Sequence, residues 1–137
     1  MAFKQIFTPA SPYKKQATVI AIVWTALIFI GCFTPGKELP EVHVPLIDKW
    51  AHLVLFSGFT FFWLCTNPTR KAVYLIRMLV IAILLGAFIE VMQGILVFLG
   101  RSMEFMDAVA DTIGGFIGIT TFYIISYLTE KGSKKQE

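Results

Sequence analysis

Charge is what this sequence has least of. Asp, Glu, Lys and Arg make up 15% of its 137 residues, against roughly 25% in ordinary soluble domains. A soluble chain of this length could not cover so much apolar sequence with so few polar side chains. Cysteine occurs twice, at Cys32 and Cys65, which excludes a disulfide scaffold. Basic residues never form a stripe with interleaved aromatics, so the pI near 9.0 does not indicate nucleic acid. No serine sits in a nucleophile motif and neither cysteine has activating neighbours, which disfavours covalent catalysis. No H-E-x-x-H spacing marks a zinc site. Internal repeats and low-complexity stretches are absent. What is present is apolar: 56% of the residues are hydrophobic and the mean hydropathy is +0.71. Such a chain is not disordered. It is an integral membrane protein.

A helix rises about 1.5 Å per residue, so roughly 20 residues cross a hydrocarbon layer of about 30 Å. Four apolar runs qualify: residues 17–33, 48–65, a stretch within 73–99, and 107–128. The breakers Pro35-Gly36 and Asn67-Pro68 follow the first two. The expected fold is an all-α membrane bundle of four transmembrane helices. It comprises an N-terminal segment 1–16, a transmembrane domain 17–128 and a polar tail 129–137. Loop charges set its orientation. With the N-terminus inside, nine Lys and Arg residues face inward (Lys4, Lys14, Lys15, Arg70, Lys71, Arg77, Lys131, Lys134 and Lys135) and three face outward (Lys37, Lys49 and Arg101). Both termini are therefore expected in the cytoplasm, in a multi-pass cell-membrane protein. An alternative concerns the first run: Lys14-Lys15, residues 17–30 and Gly31-Cys32 resemble a lipoprotein signal, although Phe29 fits that pattern poorly. Cys32 and Cys65 fall at opposite ends of the bundle and are expected to be free, buried and structural.

Charged side chains inside a span cost about 2.5–3.5 kcal/mol on insertion scales and need a reason to be there. Here they gather at one end. The second span opens with Asp48, Lys49 and His52, at helical spacings of three and four. The third carries Glu90 and Gln93, three apart. Arg101 precedes the fourth, which opens with Asp107 and Asp111, four apart. The depth of Glu90 depends on register. A third span over 78–99 would put it near the midplane, whereas 73–94 puts it about one turn below the outer surface, level with His52 and Asp111. The second register is preferred, with Arg77 snorkelling to the inner headgroups and 95–100 as an apolar loop. Asp107, Asp111, Gly114 and Gly118 share one stripe, and the two glycines form a small-xxx-small pair that admits another helix or a second copy. Gly86 is the expected contact point on the third span. Plainer roles exist for each residue alone: helix capping for Asp48 and Asp107, a helix-bridging hydrogen bond for Gln93, a loop pair of Arg101 with Glu104, and simple exposure for His43 between Pro40 and Pro45.

The ordered set is more specific than its parts. D-K-x-x-H from Asp48 to His52, E-x-x-Q from Glu90 to Gln93, and R-x5-D-x3-D-x2-G from Arg101 to Gly114 resemble the VanZ-like membrane protein family. The resemblance covers residues 48–118, and implies a small multi-helix protein of the bacterial cell envelope. The family takes its name from a member associated with teicoplanin resistance. It typically has Asn where this chain has Asp111, so the site here carries an additional acid.

These residue types permit definite chemistry. Glu90 or His52 can serve as general base, with Asp107 and Asp111 completing a catalytic set. Lys49, Gln93 and Arg101 are the candidate substrate-binding residues, Arg101 being able to grip a phosphate bidentately. Asp48, His52, Glu90 and Asp111 are candidate ligands for a divalent metal. Together they suit hydrolysis or transfer at a lipid or lipid-linked envelope intermediate on the outer leaflet. The alternative is a non-catalytic binder of a lipid headgroup or an amphiphilic antibiotic. Transport ranks lower, because no inner-half carboxylate continues a path from the outer cluster.

Overall fold

Each apolar run between breakers becomes one helix in the computed structural model, which describes residues 5–35 and 46–133. The helices are α1 (Lys14–Phe33), α2 (Ile47–Thr66), α3 (Ala72–Ile95) and α4 (Phe105–Ser133). α1 stops where Thr34 turns extended ahead of Pro35, as residues before proline do. α2 stops at Asn67-Pro68. Between α3 and α4 the chain makes one 3-10 turn, Val97–Leu99. It reverses at Gly100, whose φ of 68° lies in the left-handed region, where glycine carries no steric penalty. The expectation that 95–100 would be a plain loop misses that turn. The fourth helix also runs past the expected 128, because Thr129, Glu130 and Lys131 contain no breaker and the last two favour helix. The segment containing His43, Lys37, Glu38 and Glu41 lies outside the described residues.

α1, α3 and α4 are each long and apolar enough to cross a membrane. Their outward faces carry exposed Val19, Ile20, Val23, Ile76, Val80, Leu84, Phe116 and Ile124, a surface suited to lipid rather than water. α2 is not among the helices that meet this measure. Asp48, Lys49 and His52 fall in its first six residues. It is also the central helix, packed against the other three. A helix enclosed by protein need not be apolar all round.

Two contacts draw α4 onto α2. A Cβ added at Gly114 would overlap the Leu53 main chain, and one at Gly118 would overlap Ser57 O and Thr60 Oγ1. The close approach these glycines allow is thus to α2 of the same chain, which lets Thr60 Oγ1 donate to Gly115 O at 2.9 Å. On the other flank Trp24 Nε1 donates to Leu55 O at 2.7 Å and Trp63 Nε1 to Thr25 Oγ1 at 3.0 Å, tying α1 to α2. One apolar core joins Ile28, Cys32, Phe56, Phe59, Ala82 and Ile89. A second joins Ala17, Leu64, Cys65, Ile119 and Phe122 to Phe7 of the N-terminal segment. Both cysteines are free and buried, at opposite ends of the bundle. Up-and-down succession brings the ends of α1 and α3 beside the starts of α2 and α4.

Candidate functional site

The polar residues spaced three and four apart are brought together at that shared end. His52 comes from the second turn of α2, Glu90 from the last turns of α3, and Asp111 from the second turn of α4. All three are buried, at 3%, 1% and 0% exposure. His52 Nδ1 lies 2.9 Å from Asp111 Oδ1. Glu90 Oε2 accepts the Glu104 backbone N–H at 2.8 Å, a bond that anchors the loop leading into α4. The other carboxylate oxygens, Glu90 Oε1 and Asp111 Oδ2, are buried with no hydrogen-bond partner among the described residues. One potential ligand atom from each of His52, Glu90 and Asp111 lies within 4.8 Å of the others. A Cβ at Gly86 would stand 2.7 Å from Asp111 Oδ2, so the absence of a side chain there is what admits Asp111 against α3.

A more open tier surrounds this trio. Lys49 Nζ donates to Glu104 Oε2 at 2.8 Å and to Asp107 Oδ1 at 2.9 Å, crossing from α2 to α4. Asp107 is itself buried, whereas Glu104 is exposed. Asp48 faces Arg101, with Oδ1 3.6 Å from Nη1. Arg101 also donates to Thr34 O at 3.3 Å and Gly31 O at 3.0 Å. Those carbonyls close α1, where the helix dipole favours a cation. Gln93 Nε2 donates to Cys32 O at 2.8 Å, bridging α3 to α1. Asp48, His52 and Asp107 form a second group with ligand atoms within 4.8 Å, but Lys49 already holds Asp107 and Arg101 faces Asp48.

A family model for VanZ/LLP1 matches residues 5–126. The chain belongs to the VanZ/LLP1 family. No curated protein and no solved structure matches it. For this VanZ/LLP1 chain the match reaches well beyond the motif-bearing residues 48–118, into the N-terminal segment that carries Phe7.

Every sequence-selected residue of the site lies at this one end, and α3 over Ala72–Ile95 follows the 73–94 register. Several pairings differ from the simplest expectations. Asp48 and Asp107 sit in first helical turns, yet their side chains face Arg101 and Lys49, and the start of α2 has no side-chain cap bond. Glu104 pairs with Lys49 instead of Arg101. Gln93 makes its helix bridge. The backbone of Glu104 as the clamp on Glu90 was missed, since a main-chain donor leaves no mark in residue type. A cavity of about 670 Å³ opens at the opposite end, between Gln5–Pro9, Pro68–Lys71 and Ser126–Glu130. Arg70 pairs there with Glu130 and lies over Tyr123 and Tyr127. Cavity size favours that end. The buried oxygens without partners favour the His52 end, and chemistry needs reactive groups more than it needs open space.

Proposed function

We propose that this VanZ/LLP1 protein is a multi-pass cell-membrane protein with both termini in the cytoplasm and α2 spanning alongside the other three helices. Its polar site, at the extracytoplasmic end, binds or acts on a lipid or lipid-linked envelope intermediate that carries phosphate. The observation that carries this reading is the buried trio His52, Glu90 and Asp111. Three helices deliver it to one depth, with two carboxylate oxygens left without partners. A bundle does not bury such groups for packing alone, because apolar residues would be more stable there. The surrounding cations support a phosphate ligand. Among the described residues Arg101 Nη1 has only the 3.6 Å approach of Asp48, which leaves it capacity for a charge-assisted bond. His52 or Glu90 supplies the general base, and Asp107 orients Lys49.

The test combines native mass spectrometry of the detergent-purified chain with lipid analysis of a deletion strain. A phosphate-bearing lipid should be retained by the wild-type chain, or accumulate when the gene is removed. Arg101→Ala should weaken retention about tenfold or more, the scale of losing a hydrogen bond to a charged group. If the site is catalytic, His52→Ala and Glu90→Gln retain lipid but lose turnover. If it only binds, no lipid turns over in any variant. Absence of retained lipid together with an unchanged lipid profile would sink the proposal.

A further inference from the structure

We infer that His52, Glu90 and Asp111 hold a divalent metal ion. The inference deepens the reading above by naming what the site carries, and it rests on the same cluster. Its support begins with hydrogen bonds already made. Glu90 Oε2 is held by the Glu104 N–H and Asp111 Oδ1 by His52 Nδ1. The atoms left over are Glu90 Oε1 and Asp111 Oδ2, both buried without partners among the described residues. One imidazole nitrogen of His52 and one carboxylate oxygen each of Glu90 and Asp111 lie within 4.8 Å of one another, and an ion on His52 Nδ1 would take the place of its 2.9 Å contact with Asp111 Oδ1. Asp111 Oδ2 is turned toward α3 at Gly86, one helical turn from Glu90.

Charge points the same way. Two carboxylates are withdrawn from water, and among the described residues neither Lys49 nor Arg101 pairs with them. Lys49 is held by Glu104 and Asp107, and Arg101 by Asp48 and two main-chain carbonyls. A divalent cation neutralises both acids at once. One imidazole with two carboxylates suits zinc, manganese or ferrous iron better than calcium. Three protein ligands leave a coordination position open, as at catalytic rather than structural zinc sites. An open position is what a lipid phosphate would use. The Asp48, His52 and Asp107 group shares His52 but is less suited, since its acids already face Arg101 and Lys49.

The test uses the full chain in detergent, purified without a histidine tag. Elemental analysis should find close to one divalent ion per chain. After chelation, added Mn2+ or Zn2+ should raise the unfolding temperature by several degrees, as a ligand specific to the folded state does. Glu90→Gln and Asp111→Asn preserve side-chain size, and each should weaken ion affinity about tenfold or more. Glu104→Gln, which alters an exposed neighbouring acid, should leave the affinity within about threefold. The inference is overturned if the wild-type chain holds no ion and neither metal shifts its unfolding. It is equally overturned if both isosteric variants bind the ion as the wild type does. The outcome is separable from the lipid reading. A metal-free chain that retains phosphate-bearing lipid removes the ion and keeps the substrate. A metal-loaded chain with no lipid partner does the reverse.

Discussion

At the scale of single residues the site depends on what Gly86 lacks. Replacing it with alanine would place Cβ 2.7 Å from Asp111 Oδ2 and 3.0 Å from its Cβ, inside normal contact distance. Alanine otherwise favours a helix over glycine by about 0.8–1.0 kcal/mol. Overpacking typically costs about 1–3 kcal/mol, and here the side chain that must yield is the partner of His52. Gly86→Ala is therefore expected to destabilise by about 1–2 kcal/mol, and nuclear magnetic resonance of His52 should show the Nδ1 bond lost. Retention of that bond with raised stability would overturn the account. This residue also shows how far the sequence could be read. Spacings of three and four placed Asp111 with Asp107, Glu90 with Gln93, and His52 with Asp48, because helical periodicity alone sets those neighbours. Pairings between helices were not legible. Whether Glu104 meets Lys49 or Arg101 depends on how α2 and α4 are rotated, and that rotation follows from glycine contacts many residues away.

At the scale of elements, Gly114 and Gly118 set the separation of α2 and α4. The atoms that added methyl groups would strike include main-chain Leu53 O and Ser57 O, which cannot swing aside as a side chain can. Gly114→Ala and Gly118→Ala are each expected to destabilise by about 1–3 kcal/mol or more, despite the gain in helix propensity. Gly31 is the internal contrast, since the nearest atom to its added Cβ is Leu55 Cδ1 at 3.9 Å. Gly31→Ala should be neutral, or stabilising by up to about 1 kcal/mol. Thermal unfolding of the three variants in one detergent checks the order, and equal effects would remove the close-packing argument. The glycine stripe was legible as a contact surface, but its partner was not. A small-xxx-small spacing records that something approaches closely and carries no information on what. The third helix was more readable in extent, because the apolar run itself sets its bounds at Ala72–Ile95.

At the scale of the whole molecule, the net charge of +3 averages two opposite ends. Arg70, Lys71 and Lys131 lie at the end away from the site, whereas Glu90, Asp107 and Asp111 lie within it. Loop charge asymmetry of this kind orients insertion, and under the proposed topology the acidic end is outside. Cysteine labelling tests this directly, because Cys32 and Cys65 are 3% and 4% exposed and give little background. Phe98, 76% exposed in the Val97–Leu99 turn, is at the site end, and exposed Lys131 is at the other. In intact cells an impermeant maleimide should modify Phe98→Cys and spare Lys131→Cys, which should react only after the membrane is opened. The reverse pattern would place His52, Glu90 and Asp111 on the cytoplasmic side. A lipid intermediate of the outer leaflet would then have no route to the trio, and the substrate would have to be sought among cytoplasmic phosphates.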